Sequence, residues 1–339
     1  LVTGIADANS DSVPVVAITG NVPSPLLGKN AFQEVDIVSV TAPITKRSYQ
    51  VQRVGHIPAV VRHAFLMATG NRPGPVLMDL PKDIQQHYPR DPDGNYAPPR
   101  MPAVIERLEE PVGGIPADQL DEACRIIREA KRPVIYAGGG VIASDTSPWL
   151  IQLAEKLGCP VTTTIMGLGA FPPDHPLALS VLGMHGTKYA NYAVNRADLV
   201  IAVGVRFDDR VTGKVSEFIK HGKIIHIDVD RTELNKNKRV TLPIWADLRQ
   251  ALSQLVASAQ PGEYSEWIQQ CQDWRDRWPL TFEQGAGEGI NPQWAIHQLS
   301  ELTGGDALVT VGVGQHQMWA MQHYQVRRPR SFLSSSGSV

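Results

Sequence analysis

The chain has 339 residues, 32 Lys and Arg against 34 Asp and Glu, and a formal net charge of −2. At about 150 residues per domain this length holds roughly two to three domains. The near-neutral charge argues against bulk nucleic-acid binding or a polybasic membrane surface, and no stretch reaches the ~20 apolar residues of a membrane span. Cys124, Cys159 and Cys271 form no CxxC pair, which argues against a disulfide scaffold or structural zinc and fits a reducing compartment.

The first block reads as residues 1–81. Residues 1–8 (LVTGIADA) read as helix, without an initiator Met or a charged leader. Two apolar runs, 13–19 and 75–80, flank a stretch with helical spacing at 57–68. Strand, helix, strand is the pattern of a parallel α/β sheet. Residues 81–116 carry eight prolines and read as an extended linker.

Residues 117–258 read as a complete doubly wound domain. A helix is expected over 117–131, then strands at 133–137, 161–165, 199–205 and 223–230. Residues 199–205 have no polar side chain, as expected of a strand covered on both faces. The connection 259–290 carries Trp267, Trp274 and Trp278 on one helical face, read as a packing stripe. The block 291–339 holds a helix at 293–302, a strand at 307–311, a glycine turn and the start of another helix. It then closes on a serine-rich tail, so both ends are expected to cut through folded domains.

Several strand-end segments could carry chemistry. Gly138, Gly139 and Gly140 follow a strand, where backbone N–H groups can approach a phosphate; a tight turn without a ligand is the even alternative. The segment is not GxGxxG. Asp228 is the better candidate for a ribose hydroxyl, since Asp230 suits an N-cap before a helix at 232–235. Asp247, after the apolar run 242–246, could serve the same nucleotide. Residues 204–210 (GVRFDDR) are either a ligand loop or a surface ion-pair network. Residues 164–169 and 183–186 are mostly uncharged loops that suit a flat heterocycle. Gly314, Gln315 and His316 join a strand to a helix, where donors face an anion. Glu34 reads as an exposed carboxylate at a helix start; Phe32 and Gln33 could line a pocket. No HExxH, GxSxG or Walker A motif occurs.

In combination, residues 312–320 (GVGQHQMWA), 205–214 (VRFDDRVTGK), 183–194 (GMHGTKYANYAV), 31–34 (AFQE) and 72–85 (RPGPVLMDLPKDIQ) resemble the catalytic subunit of acetohydroxyacid synthase, or acetolactate synthase, in the thiamine-diphosphate enzyme superfamily. The resemblance covers essentially the whole chain. It implies an α/β fold of doubly wound parallel-sheet domains: the C-terminal part of a pyrimidine-binding domain (1–81), a linker (82–116), a central FAD-binding domain (117–258), a second linker (259–290) and the start of a diphosphate-binding domain (291–339).

The implied reaction is decarboxylation of pyruvate on thiamine diphosphate. The two-carbon unit then condenses with pyruvate or 2-oxobutyrate, in branched-chain amino-acid biosynthesis. By the resemblance, Phe32 and Gln33 line the active-site channel, and Pro23, Ala31 and Asp209 surround its entrance. Gly314, Gln315 and His316 approach thiamine diphosphate. FAD contacts fall to Arg100, Gly138, Gly139, Gly140, Thr164, Ile165, Met166, Gly183, Met184, His185, Gly204, Arg206, Asp208, Asp228 and Asp247. The family's catalytic glutamate and its Mg²⁺-binding segment are expected outside this chain, so the isolated piece is expected to be inactive. A related thiamine-dependent decarboxylase or carboligase, or a FAD-binding module without catalysis, is the alternative. A homodimer, a regulatory small subunit and a cytoplasmic location are further expectations, with a plastid the alternative if a transit peptide precedes residue 1.

Overall fold

The computed structural model describes residues 1–90, 93–97, 111–285 and 289–335. It divides into two compact units, Leu1–Pro111 and Val112–Ser335.

The first unit holds three parallel strands, β1 (Val16–Asn21), β2 (Arg47–Gln50) and β3 (Val76–Pro81), in the order β1-β3-β2. The pleat sends Val76 and Met78 to one face, where they meet Ala64, Met67 and Ala68 of helix Ile57–Thr69. Leu77 points the other way, to Ile5 of helix Val2–Ser10 and to Ala17. Both faces of β3 are therefore covered, which explains its nearly continuous apolar sequence. The segment read as wholly extended begins with a short helix, Lys82–Gln86. No helix begins at Glu34: its carboxylate accepts from the N–H groups of Gly28 and Ala31 and closes a loop on itself.

The second unit is built on six parallel strands: β4 (Pro133–Ala137), β5 (Val161–Thr163), β6 (Ala178–Val181), β7 (Leu199–Val203), β8 (Lys223–Asp228) and β9 (Leu242–Trp245). Their order is β6-β5-β4-β7-β8-β9. The chain thus winds outward from β4 in one direction, returns, and winds outward from β7 in the other. Alternation divides the core cleanly. Ile135, Ile201 and Ile225 face helices Ala117–Glu129, Ser147–Leu157 and Leu248–Ser258. Val134, Tyr136, Val200 and Ile224 face helices Lys188–Arg196 and Ser265–Arg277.

The tryptophan stripe packs on this second face. Trp267 is buried and its Nε1–H donates to Pro133 O at 3.0 Å. Trp274 meets it edge-on, and Trp278 stacks on Tyr192 with ring centres 4.8 Å apart.

Three strands are shorter than their apolar runs. β7 stops at Val203 because Gly204 turns to φ +58°. β8 stops at Asp228 because its Oδ1 accepts from Asp230 N–H and bends the chain. β5 stops at Thr163, before a one-turn 3-10 helix at Ile165–Gly167. Residues 232–235 are turns rather than helix: Asp230 accepts from both Thr232 N–H and Thr232 Oγ1.

The last block contributes helix Pro292–Thr303, capped by Asn291 and ended by left-handed Gly304. A parallel pair follows, β10 (Val309–Val311) and β11 (Phe332–Ser334), with helix Gln315–His323 between them. Ion pairs Arg327–Asp174 and Arg330–Asp145 tie its tail to the six-stranded part of the same unit.

Candidate functional site

The strand order is 3-2-1-4-5-6 when counted from β4, the order of doubly wound dinucleotide-binding sheets. In such sheets ligands bind beyond the carboxyl ends of the strands, at the crevice where winding reverses. That crevice lies between β4 and β7, and all the described candidate flavin residues lie at or beyond the carboxyl ends of β4–β9.

Gly138–Gly140 leave β4 and Gly204 leaves β7. A Cβ on Gly140 would stand 2.7 Å from Gly204 Cα, and a Cβ on Gly204 equally close to Gly140 Cα. Gly138 N–H donates to Val203 O and Gly140 N–H to Gly204 O. The glycines therefore first serve the contact between two strand ends, and the amides of Gly138 and Gly140 are spent inside the fold.

The loop after β5 lies against this turn. Thr164 N–H donates to Ala137 O, and a Cβ on Gly139 would meet Met166 Cβ at 3.1 Å. Thr164 Oγ1 is shut off from solvent and has no hydrogen-bond partner among the described residues. An unsatisfied hydroxyl in such a place costs about 1–3 kcal/mol, which turning the side chain outward to a ligand would relieve. The loop after β6 is pinned by Met184 N–H donating to Arg210 O, with Gly183 at φ +107°. Met184 itself is 63 % exposed.

The acidic candidates are partly occupied. Asp208 Oδ1 accepts from Arg210 N–H and Val211 N–H and caps helix Asp209–Thr212. Asp247 Oδ1 accepts from Gln250 N–H and caps helix Leu248–Ser258. Asp228 is buried beside His226. Burial pushes the His226 imidazole down to about 4, and its Nε2–H donates to Val205 O. Phe207 sits between these groups with φ +49°, its ring against Tyr136, Phe218 and His226. The Asp209–Arg210 pair is exposed and 3.9 Å apart, worth little in energy.

The turn at Gly314 begins helix Gln315–His323 in the same unit. Gly314 has φ +150°, and a Cβ there would meet the His316 ring at 3.0 Å. Gln315 and His316 are exposed at the helix N-terminus, where the helix dipole favours an anion. Gln322 of this helix donates to His185 O at 2.7 Å, so the glycine turn and the loop after β6 sit on touching elements.

Phe32 and Gln33 belong to the first unit. They form the exposed tip of loop 22–35, Phe32 at 88 % exposure and Gln33 with φ +65°. Arg100 lies outside the described residues. Among the described residues no group of three His, Cys, Asp or Glu side chains could hold a metal ion. Gly167, within the candidate loop 164–169, packs where a Cβ would meet Ala137 O at 2.7 Å. Asp79, which sequence reasoning does not single out, is fully buried at the carboxyl end of β3.

The comparisons agree in direction. The central domain of thiamine pyrophosphate enzymes matches residues 120–255, and their N-terminal TPP binding domain matches residues 1–40. A probable acetolactate synthase 2, chloroplastic, of Oryza sativa subsp. japonica is 50 % identical over 346 residues, covering 99 % of this chain and 51 % of that protein. Acetolactate synthase 2, chloroplastic, of Nicotiana tabacum is 49 % identical over 99 % of this chain and 50 % of its own length. The chloroplastic acetolactate synthase of Arabidopsis thaliana is 47 % identical over the same shares. The chain spans about half the length of the curated relatives it matches. These names overturn the cytoplasmic location expected from the sequence: all three relatives are chloroplastic. Near-neutral charge and unpaired thiols fit any reducing aqueous compartment, so composition could not separate the two.

Proposed function

We propose, on the premise that this chain belongs to the acetolactate synthases among the thiamine pyrophosphate enzymes, that it serves decarboxylation of pyruvate and condensation of the two-carbon unit with pyruvate or 2-oxobutyrate. The observation that carries the site assignment is the convergence of glycine turns, an orphan hydroxyl and capped acids along the carboxyl edge of β4–β9.

That row crosses five strand gaps, roughly 24 Å at ~4.8 Å each, so a ligand reaching both ends is extended, as FAD is. In this reading Thr164 Oγ1 hydrogen-bonds the flavin, the backbone beyond β4 and β7 forms the floor of the crevice, and Arg206 offers charge to the diphosphate. Asp228 ends β8 and Asp247 follows β9, where their carboxylates would meet ribose hydroxyls. Bound thiamine diphosphate supplies an electron sink for loss of carbon dioxide. The chain's contribution is positional: Gln315 and His316 offer donors to an anion at their helix N-terminus, and Phe32 and Gln33 line the channel to the reacting centre. Among the described residues no three His, Cys, Asp or Glu side chains converge where Mg²⁺ could sit.

A homodimer, a regulatory small subunit and a plastid location extend the same reading. It is tested by product analysis of the intact protein with pyruvate, FAD and thiamine diphosphate. Acetolactate formed only with both cofactors supports it. Carbon dioxide release with acetaldehyde or acetate as product would instead mark a related decarboxylase.

A further inference from the structure

We propose that Asn21, oriented by Asp79, is the positioning residue that fixes loop 22–35 and thereby the Phe32–Gln33 tip. The consequence for catalysis rests on the channel role proposed above for that tip; the clamp itself does not.

Asp79 has no solvent exposure on the central strand of the first sheet. A carboxyl group buried there needs donors. Register places Thr19 of β1 and Gln50 of β2 directly opposite it on either side. Thr19 Oγ1 donates at 2.8 Å and Gln50 Nε2 at 3.4 Å. Asn21 lies two residues beyond Thr19, on the same face of β1. Its Nδ2 reaches back to Asp79 Oδ2 at 2.8 Å.

The rest of the Asn21 amide faces the loop. Nδ2 also donates to Val35 O at 3.1 Å, and Oδ1 accepts from Val22 N–H at 2.9 Å. One side chain thus holds the first and last residues of the loop to each other and to the sheet. Asp79 Oδ2 accepts from the amide nitrogen, which leaves the amide oxygen where Val22 needs it.

The tip's own bonds stay within the loop, where Glu34 N–H donates to Ala31 O at 3.0 Å. Phe32 is exposed, and Gln33 holds a left-handed φ that non-glycine residues adopt only when surroundings impose it. Glu34 ties Gly28 and Ala31 within the loop, and Asp83 receives the Ser24 N–H and hydroxyl near its start. Among the described residues, Asn21 joins both ends.

Amide hydrogen exchange on the whole chain tests this. In Asn21→Ala, peptides from 22–35 are expected to exchange about tenfold faster, equivalent to about 1.4 kcal/mol of lost local stability, while peptides from 76–81 keep their rate. Thr19→Val removes another Asp79 donor without touching the loop, and is expected to leave 22–35 unchanged. If Asn21→Ala does not fold, Asn21→Ser is read the same way, since its short hydroxyl cannot span to Val35. An unchanged loop in the folded Asn21 variant overturns the proposal; so does equal loosening in Thr19→Val, which would mark general destabilisation. Loosening with about tenfold lower kcat/KM for pyruvate in the intact enzyme supports both clamp and channel role. Loosening with unchanged turnover supports the clamp and defeats the channel role of Phe32 and Gln33.

Discussion

Gly140 and Gly204 leave neighbouring strands so close together that a Cβ on either would lie 2.7 Å from the other's Cα. The nearest atom each Cβ would meet is backbone, with Leu248 Cδ1 next to both at 3.2 and 3.0 Å. Gly204 adds a left-handed φ of +58°. We expect Gly140→Ala to cost about 2 kcal/mol through overpacking, and Gly204→Ala about 1 kcal/mol more because its φ is unfavourable for alanine. Urea unfolding of the two variants checks both the size and the order.

Thr164 gives a contrast of the opposite sign. Its buried hydroxyl has no partner among the described residues, so Thr164→Val should stabilise the ligand-free chain by about 1 kcal/mol while weakening flavin retention. Denaturant midpoints with and without FAD read both effects. A variant with unaltered flavin affinity would remove Thr164 from the site.

Asp247 caps helix Leu248–Ser258, so its two proposed roles can be separated by chemistry. Asp247→Ser keeps an N-cap acceptor and should unfold near the wild-type midpoint. Asp247→Ala should lose about 1 kcal/mol. Both should weaken FAD binding if the second carboxylate oxygen meets ribose, and neither should if capping is the whole role. Flavin fluorescence titration distinguishes these outcomes.

His226 sets an acid limit. Burial holds its imidazole at about 4, against 6.5 for a free group, so in this interval the unfolded chain binds a proton that the folded chain refuses. The histidine contributes no pH dependence above about 6.5. As pH falls through the window toward 4, stability drops by up to about 3 kcal/mol. His226→Gln should flatten this acid limb in unfolding experiments between pH 7 and 4.5. An equally steep limb in the variant would mean that other groups cause it.

The parts of the fold legible in the sequence were those whose burial is uniform. β4 and β7 are apolar throughout because both faces are covered, and β4 has the bounds its residues suggest. β2 (RSYQ) and β6 (ALSV) were missed because one is a polar edge strand and the other is short and irregularly paired. Local patterns gave the tryptophan stripe but could not show that Gly140 and Gly204, distant in sequence, need each other's space. Asp208 and Asp247 suggest a nucleotide by their place at strand ends, although each also precedes a helix and caps it. Asp79 gave no signal at all. Its meaning comes from Thr19 and Asn21, which pairing of β1 with β3 brings beside it.

The visible absorption spectrum of the purified chain, incubated with FAD and then desalted, tests the central claim most directly. A retained flavin band at close to one flavin per chain, diminished in Thr164→Val, is the expected result. A chain shown to be folded by circular dichroism that emerges without flavin would contradict the assignment of the β4–β7 crevice as the FAD site.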